Sequence, residues 1–340
     1  MSFTRKMLGT VAVGVALAIA ISGCAGGGGS AQQSDASGKE VKPIDVNFGY
    51  IPDFNGTSLL AIADDQGLWK KNGVNITTTS FTNGPLQIQA LGTGDLDFGY
   101  IGPGAFWLPA SGKAKLVAMN TLGQADRVVA QKGINSIKDL RGKTVAVPEG
   151  TSGDMILTLA LKSAGMTKAD IKLVPMEPAS IVAALISKKV DAAGFWYPAL
   201  ATVKQRVPDL VELASNKDFK DTVSFPTAFV AGNKVVEDQP EKLNRVLKVL
   251  REATDFRAKH TDEAIKLTAS FSQLDPAQVK ADAGNVQILG LDEIDKLTKD
   301  GTVNTWLSGM VDYFVQAGKL PKAVDPTTFY TGDLYLKAGE

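Results

Sequence analysis

The hydrophobic and polar positions follow two periods along most of the chain. From residue 44 onward, short runs with apolar residues at every second position, or in a continuous block, predict β-strands. A turn cluster follows each run, and then a segment with apolar residues at helical spacing. In the first third, this pattern predicts strands at 44–50, 74–80, 94–101 and 115–119. Such an alternation predicts an α/β fold with mostly parallel sheets and flanking helices.

The same alternation starts again in the middle of the chain, and long helical segments follow it. The further predicted strands are 128–131, 144–147, 171–175, 190–195 and 227–231, and the further helices are 239–260, 262–271, 276–284, 291–299 and 302–317. A length of 340 residues suggests about two domains. We predict one lobe from 44–127 and 228–340 and a second lobe from 128–227. The two chain crossings between them would form a hinge beside a cleft.

Turn clusters mark the carboxyl ends of several predicted strands. They lie at 52–56, 82–85 and 102–104. Ligands of open α/β sheets bind outside the carboxyl ends of the strands. We therefore expect these loops to converge on one site.

Residues 145–161 contain the most distinctive strand–turn–helix junction. Pro148 and Gly150 end the strand, and either Thr151 or Ser152 can cap the helix with its hydroxyl. A helix start presents free N–H groups and a positive dipole end, which suits a small polar or anionic group. An ordinary βα turn is the alternative.

The amino-terminal segment carries the features of a secretory signal. Two basic residues precede an apolar run over 7–21, and small residues lead from this run to Cys24. The ending resembles the bacterial lipobox, in which the peptide is cut before a Cys that is then lipidated. We predict a lipoprotein signal peptide at 1–23, lipidation of Cys24 and a flexible Gly/Ser/Gln-rich tether at 24–43. A plain signal peptide and a buried free Cys remain alternatives.

Composition excludes several classes of function. The formal net charge is zero, which argues against a nucleic-acid-binding protein. One Cys and one His rule out a disulfide framework, a Cys-based metal site and a cluster of His ligands. We expect no metal, no cofactor and no catalytic residue, and a monomer is the simplest expectation.

Three segments resemble the nitrate/sulfonate/taurine substrate-binding proteins of ABC importers. They are 84–99, 140–152 and 189–198, and they occur in the order expected of that family within a resemblance over 45–330. The resemblance implies a two-lobed periplasmic-binding fold of type II. It also implies capture of a small solute by hinge closure and delivery to a membrane permease with its ATPase. With the lipid anchor, the protein would lie on the extracytoplasmic face of the cell membrane.

The resemblance also implies that ligand contacts come from the strand-end loops. Carried over position by position, the candidate ligand-binding residues are Asp53, Phe54, Asn55, Asn83, Gly84, Gly102, Pro103, Glu149, Thr151, Ser152, Asp154, Trp196, Tyr197, Phe225 and Thr227. In sulfonate and nitrate binders, the segment matching Thr151 and Ser152 is the helix start that holds the anion.

Two carboxylates depart from the family pattern. Glu149 and Asp154 flank the predicted anion-holding helix start. Charges in a cleft interact by several kcal/mol at low effective dielectric, so these carboxylates would favour a cationic nitrogen group, alone or on a taurine-like zwitterion. Three aromatic candidates, Phe54, Trp196 and Tyr197, can add cation–π attraction. The alternative is that Glu149 points to solvent and Asp154 only stabilises the first helical turn.

Three other functions compete with solute transport. A binding protein that senses its ligand for a signalling partner would have the same sequence features. A thiamine-pyrimidine-synthesising protein of the same architecture would carry a Cys-rich motif and active-site histidines, which this chain lacks. A purely structural surface lipoprotein would not need the matched loop motifs.

Overall fold

Two mixed β-sheets organise the protein in this computed structural model, which describes residues 42–340. The strands are β1 Ile44–Tyr50, β2 Val74–Ser80, β3 Phe98–Ile101, β4 Lys115–Gly123, β5 Asp126–Ala130, β6 Thr144–Val147, β7 Lys172–Pro175, β8 Ala192–Trp196, β9 Val211–Ser215, β10 Pro226–Ala231 and β11 Val286–Ile288. The predicted signal peptide, Cys24 and the tether up to residue 41 lie outside the described residues.

Helices connect the strands and cover the sheets. They are α1 Phe54–Asp65, α2 Leu68–Lys71, α3 Gly84–Thr93, α4 Trp107–Ala110, α5 Ser152–Ser163, α6 Pro178–Ile186, α7 Ala199–Arg206, α8 Asn233–Asp238, α9 Pro240–Lys259, α10 Thr261–Ser272, α11 Pro276–Ala283, α12 Leu291–Lys299, α13 Thr302–Gln316 and α14 Gly332–Lys337. Short 3-10 turns cover Pro103–Ala105, Ile137–Leu140, Lys168–Asp170, Asn216–Phe219 and Pro326–Thr328. Within the described part of the chain, no helix combines the length and the apolar character needed to cross a membrane.

The strand order shows how the chain builds its two sheets. The first sheet has the order β11-β4-β10-β3-β1-β2, and the second has the order β7-β6-β8-β5-β9. In the first sheet β10 and β11 run against the other four strands, and in the second only β5 does. The chain leaves the first sheet after β4 and returns to it with β10, so it crosses between the sheets twice. The boundaries of the two lobes stay a prediction.

An aromatic cluster forms the centre of the first sheet's core. The ring of Phe48 on β1 lies 5.7 Å from that of Phe98, 5.8 Å from that of Phe229 and 6.3 Å from that of Trp69. All four side chains are buried. Burying each ring stabilises the fold by about 1.5–3 kcal/mol. The cluster therefore fixes β1, β3 and β10 side by side, and with them the loops at one edge of the sheet.

Candidate functional site

Strand ends of both sheets meet around one small cavity. It measures about 40 Å³, room for about three water molecules. Ten of the predicted ligand-binding residues line it: Asp53, Asn55, Gly84, Gly102, Pro103, Thr151, Ser152, Trp196, Tyr197 and Thr227. The expected convergence of the loops at 52–56, 82–85 and 102–104 is therefore confirmed, while binding of a ligand by these residues stays a prediction.

The start of α1 places the first of these residues. Asp53 is the N-cap of α1, and its Oδ1 accepts a hydrogen bond of 2.6 Å from the Gly56 N–H. Thr57 and Ser58, whose hydroxyls could also cap a helix, lie inside α1 because the helix already begins at Phe54. Gly56 packs so closely on the preceding loop that a Cβ there would lie 2.5 Å from the Ile51 carbonyl oxygen.

A buried polar network holds the cavity wall on the first sheet. Asn120 Nδ2 donates to the carbonyl oxygen of Asn55 at 2.9 Å and to Thr227 Oγ1 at 3.2 Å. Thr121 Oγ1 donates to Asn55 Oδ1 at 2.7 Å. Behind them, the buried guanidinium of Arg257 donates to Asn120 Oδ1 at 2.7 Å. Asn55 and Thr227 are therefore oriented by partners that do not line the cavity.

The second sheet contributes a carboxylate that the sequence did not indicate. Asp126 is the first residue of β5 and pairs in register with Trp196, the last residue of β8. Its Oδ2 accepts a hydrogen bond of 2.9 Å from Asn216 Nδ2, and its backbone N–H donates to Asn216 Oδ1 at 2.8 Å. Because β5 runs antiparallel to β8, the beginning of β5 reaches the same sheet edge as the end of β8.

The start of α5 faces the cavity without a side-chain cap. Thr151 occupies the N-cap position, but its hydroxyl donates to the Pro148 carbonyl oxygen at 2.6 Å. The predicted cap position is therefore confirmed at Thr151, whereas the prediction that its hydroxyl caps the helix is wrong. Both residues line the cavity, so the positive dipole end of α5 is directed at its contents.

Three predicted contacts lie behind or beside the cavity rather than in its lining. Phe54 is fully buried in the core, and Phe225 is 5% exposed. Asn83 caps α3 through Leu86 N and donates to Glu177 Oε2 at 3.0 Å. The glycine that follows Asn83 lines the cavity in its place.

The two carboxylates on which the charge hypothesis rested also lie outside the lining. Glu149 is exposed, and its Oε1 lies 3.6 Å from Lys319 Nζ. Asp154 is buried against Lys168 and accepts a hydrogen bond of 3.1 Å from the Gly150 N–H. Lysines from other segments of the chain therefore compensate both charges, and these two carboxylates no longer support a cationic ligand.

Six residues of the lining were not predicted. They are Ile51, Tyr100, Ala105, Gly123, Ala125 and Asp126. Ile51 and Ala105 lie next to the loops that were chosen, so a wider window would have included them. Tyr100 lies inside a strand, and Asp126 is the first residue of an antiparallel strand. A search for ligand contacts after the carboxyl ends of strands therefore finds neither residue.

Burial raises the pKa values of three carboxylates at the cavity and behind it. Burial raises the pKa of Asp53 well above its ordinary value, and the charges of Asp282 and Asp126 raise it further. Burial also raises the pKa of Asp126, while the nearby Ser152 hydroxyl and the hydrogen bond from Asn216 offset part of the shift. For Asp282, whose Oδ2 accepts the backbone N–H at the start of α1, burial raises the pKa to about 7.

The raised pKa of Asp282 predicts a pH-dependent stability. The folded state holds this proton up to about pH 7, whereas an ordinary Asp releases it near 3.8. Between these values the folded state binds more protons than the unfolded state, so stability is highest below the window and falls as the pH rises. The slope is about 1.4 kcal/mol per pH unit for one such group.

Urea unfolding at several pH values between 4 and 8 measures this effect. We expect Asp282→Asn to flatten the decline and to stabilise the protein at pH 8, because the amide removes the buried charge. Asp64→Asn, on the exposed side of α1, is the matched control and should leave the slope unchanged. An equal slope in wild type and Asp282→Asn would assign the decline to other groups.

No metal centre is evident around the cavity. Among residues 42–340, no group of three or more His, Cys, Asp or Glu side chains is placed to hold a metal ion. The lining instead offers hydroxyls, an amide, two carboxylates and three aromatic rings. Such a set suits recognition of a small polar solute.

Comparison with known proteins identifies the family. The family model described as NMT1/THI5 like matches residues 55–264. The chain belongs to that family. A Brucella abortus protein named only as a binding protein is 52% identical over 292 residues, which are 86% of this chain and 92% of that protein. The taurine-binding periplasmic protein of Escherichia coli is 23% identical over 80% of this chain and 87% of its own length.

Solved structures show the same fold. The alkanesulfonate-binding protein SsuA of Xanthomonas axonopodis pv. citri, bound to MOPS, has a TM-score of 0.66 at 23% identity and covers 85% of this chain and 99% of its own. The predicted fold class and the resemblance to sulfonate- and taurine-binding proteins are confirmed. The desulfurization enzyme DSZB has the same fold, with a TM-score of 0.63 at 15% identity over 86% of this chain and 98% of its own.

Proposed function

We propose that this NMT1/THI5-like protein is the solute-binding component of an ABC importer. It would capture a small organic solute between its two sheets and deliver the solute to a permease with its ATPase. The observation that carries the proposal is the cavity, to which strand ends of both sheets contribute polar side chains. The names of the taurine- and sulfonate-binding relatives point to the same class of protein.

Contacts between loops of the two sheets support capture by closure. Thr82 Oγ1 and Asn83 Nδ2, which follow β2, both donate to Glu177 Oε2, which follows β7. On another side, Trp107 Nε1 donates to the Gly150 carbonyl oxygen at 3.4 Å. A solute from the surrounding solution can enter a cavity of this size only if such contacts open. The described form is thus the closed state of the proposed cycle.

The proposal includes a membrane anchor and excludes chemistry on the solute. Lipidation of Cys24 would hold the protein at the extracytoplasmic face of the membrane, and the tether would let the folded part reach its permease. A Cys24→Ala variant that still fractionates with membranes would contradict the anchor. Recovery of the solute unchanged after incubation separates a binding protein from an enzyme of the DSZB type.

A thermal-shift screen of the purified protein tests the proposal. The panel contains taurine, alkanesulfonates, nitrate, guanidine, small amines, amino acids and thiamine precursors. A solute at 100 times its dissociation constant stabilises the folded state by about 2.7 kcal/mol, because it binds only that state. We expect at least one member to raise the melting temperature in a concentration-dependent way. No shift with any member would contradict binding of this class of solute.

A further inference from the structure

The ionisable side chains that line the cavity are all acids. Asp53 and Asp126 are its only ionisable side chains besides two tyrosines, and no Lys, Arg or His of residues 42–340 lines it. Asp53 is 6% exposed and Asp126 is 3% exposed. Two carboxylates buried this deeply are stable in the ionised form only beside a compensating positive charge.

Asp126 has an oxygen without a partner. Asn216 Nδ2 donates to its Oδ2, whereas its Oδ1 is buried and accepts no hydrogen bond from the described residues. The neighbouring Arg127 does not fill this role, because its guanidinium donates to backbone carbonyls and to Glu212 and Asn285. This oxygen is thus available to a donor on a solute, and the Ser152 hydroxyl is the protein donor nearest to the carboxylate.

Aromatic rings form much of the remaining wall. Tyr100, Trp196 and Tyr197 line the same cavity as the two carboxylates, and the Tyr197 ring already has Arg127 Cζ at 5.7 Å and Lys204 Nζ at 5.5 Å from its centroid. A cation over such a ring gains about 0.5–2 kcal/mol when it is desolvated. Carboxylates and rings in one small enclosure are a recognised combination for cationic nitrogen.

The helix starts divide the cavity into two ends. At α1 the helix start is occupied by protein carboxylates, since Asp53 caps it and Asp282 Oδ2 accepts the Phe54 N–H at 2.6 Å. At α5 the helix start has no side-chain cap. An anionic group would be repelled at the first end, and only the α5 end is left for one.

We propose that the solute carries a cationic nitrogen group, an ammonium, amidinium or guanidinium, and that Asp126 and Asp53 bind it. This inference rests on the proposed function, because it names the chemistry of the solute that the binding protein captures. The nitrogen donates to Oδ1 of Asp126 and lies beside the rings of Tyr100 and Trp196. A sulfonate or carboxylate on the same solute would lie at the start of α5, so a nitrogen-free sulfonate lacks the group that the cavity selects.

Calorimetric titration with matched solutes tests the proposal. The probes are ethylamine, guanidine, taurine and ethanesulfonate, of which only the last has no nitrogen. The variants are Asp126→Asn and Asp53→Asn; Asn caps helices as well as Asp does, so α1 keeps its cap. Asp64→Asn, an exposed carboxylate on α1, is the control. Thermal unfolding of each variant shows whether it is folded.

We expect a nitrogen-containing probe to bind and ethanesulfonate to bind far more weakly. Each of Asp126→Asn and Asp53→Asn should lower the affinity for that probe by about tenfold or more, while Asp64→Asn leaves it unchanged. Ethanesulfonate that binds as tightly as taurine, with an affinity that both cavity variants keep, would overturn the inference and leave the proposed function intact. Absence of binding by every probe and by the whole screening panel would overturn both.

Discussion

Replacing Gly104 by alanine is expected to lower the affinity for any captured solute by about a hundredfold or more. Gly104 lies in the turn Pro103–Ala105 after β3 and faces the start of α5. A Cβ at this position would lie 2.1 Å from the Thr151 carbonyl carbon and 2.3 Å from the Ser152 N atom. Both are backbone atoms and cannot turn away, so the closed cavity cannot form.

The size of this loss of affinity follows from a steric penalty that acts only on the closed state. Overpacking against rigid neighbours costs about 1–3 kcal/mol or more, and about 2.7 kcal/mol corresponds to a hundredfold change in affinity. Because the overlap exists only when the two sides of the cavity meet, the fold of each side is unaffected. The melting temperature of the ligand-free protein should therefore change little.

A glycine outside the cavity lining provides the control. At Gly92 in α3 an added Cβ would have no neighbouring atom within 4 Å. Gly92→Ala should therefore bind like the wild type. Calorimetric titration of both variants, with small-angle scattering to measure compaction, makes the comparison. Wild-type affinity in Gly104→Ala would show that solute capture does not require the described closed form.

Replacing Arg257 by leucine is expected to destabilise the fold by about 3 kcal/mol. Arg257 is fully buried, and burial lowers its pKa to about 10. Its guanidinium donates to Ser58 Oγ at 3.1 Å, to Asn120 Oδ1 at 2.7 Å and to the Asn120 carbonyl oxygen at 3.0 Å. Leucine leaves these buried acceptors without a donor, at about 1–3 kcal/mol each, and removal of the buried charge offsets part of the loss.

Urea unfolding at pH 7 measures this loss, and Lys259→Leu on the same helix is the control. Lys259 is 65% exposed and forms an i,i+4 ion pair with Asp255, which contributes about 0.3–0.5 kcal/mol. Arg257→Leu should also weaken solute binding, since Asn120 orients Asn55 and Thr227 in the cavity wall. A destabilisation no larger than that of Lys259→Leu would show that the network is not maintained by the arginine.

The sequence predicts correctly those parts of the site that lie at the carboxyl ends of parallel strands. The alternating pattern of 44–50 and the apolar block at 94–101 predicted β1 and β3, and the turns behind them did converge on the cavity. Short elements without a clear period were missed, among them β9 and β11. Both pair at the margin of a sheet, where tertiary contacts and not local pattern decide the conformation.

Charge was the property that sequence position predicted least well. Glu149 and Asp154 lie near the α5 start in sequence, yet lysines at positions 168 and 319 pair with them from distant segments. Asp126 gave no local signal, because its place in the cavity depends on the antiparallel pairing of β5 with β8. Contacts between residues far apart in the sequence therefore decide which carboxylates lack a compensating positive charge.

A crystal structure of the protein with the solute that stabilises it most tests the central claim directly. The account predicts the solute enclosed in the cavity between the two sheets, in contact with Asn55 and Thr151, with a nitrogen atom within hydrogen-bond distance of Asp126. A solute bound outside this cavity would contradict the proposed mode of capture. A solute inside it, with no nitrogen at Asp126, would contradict only the proposed selectivity.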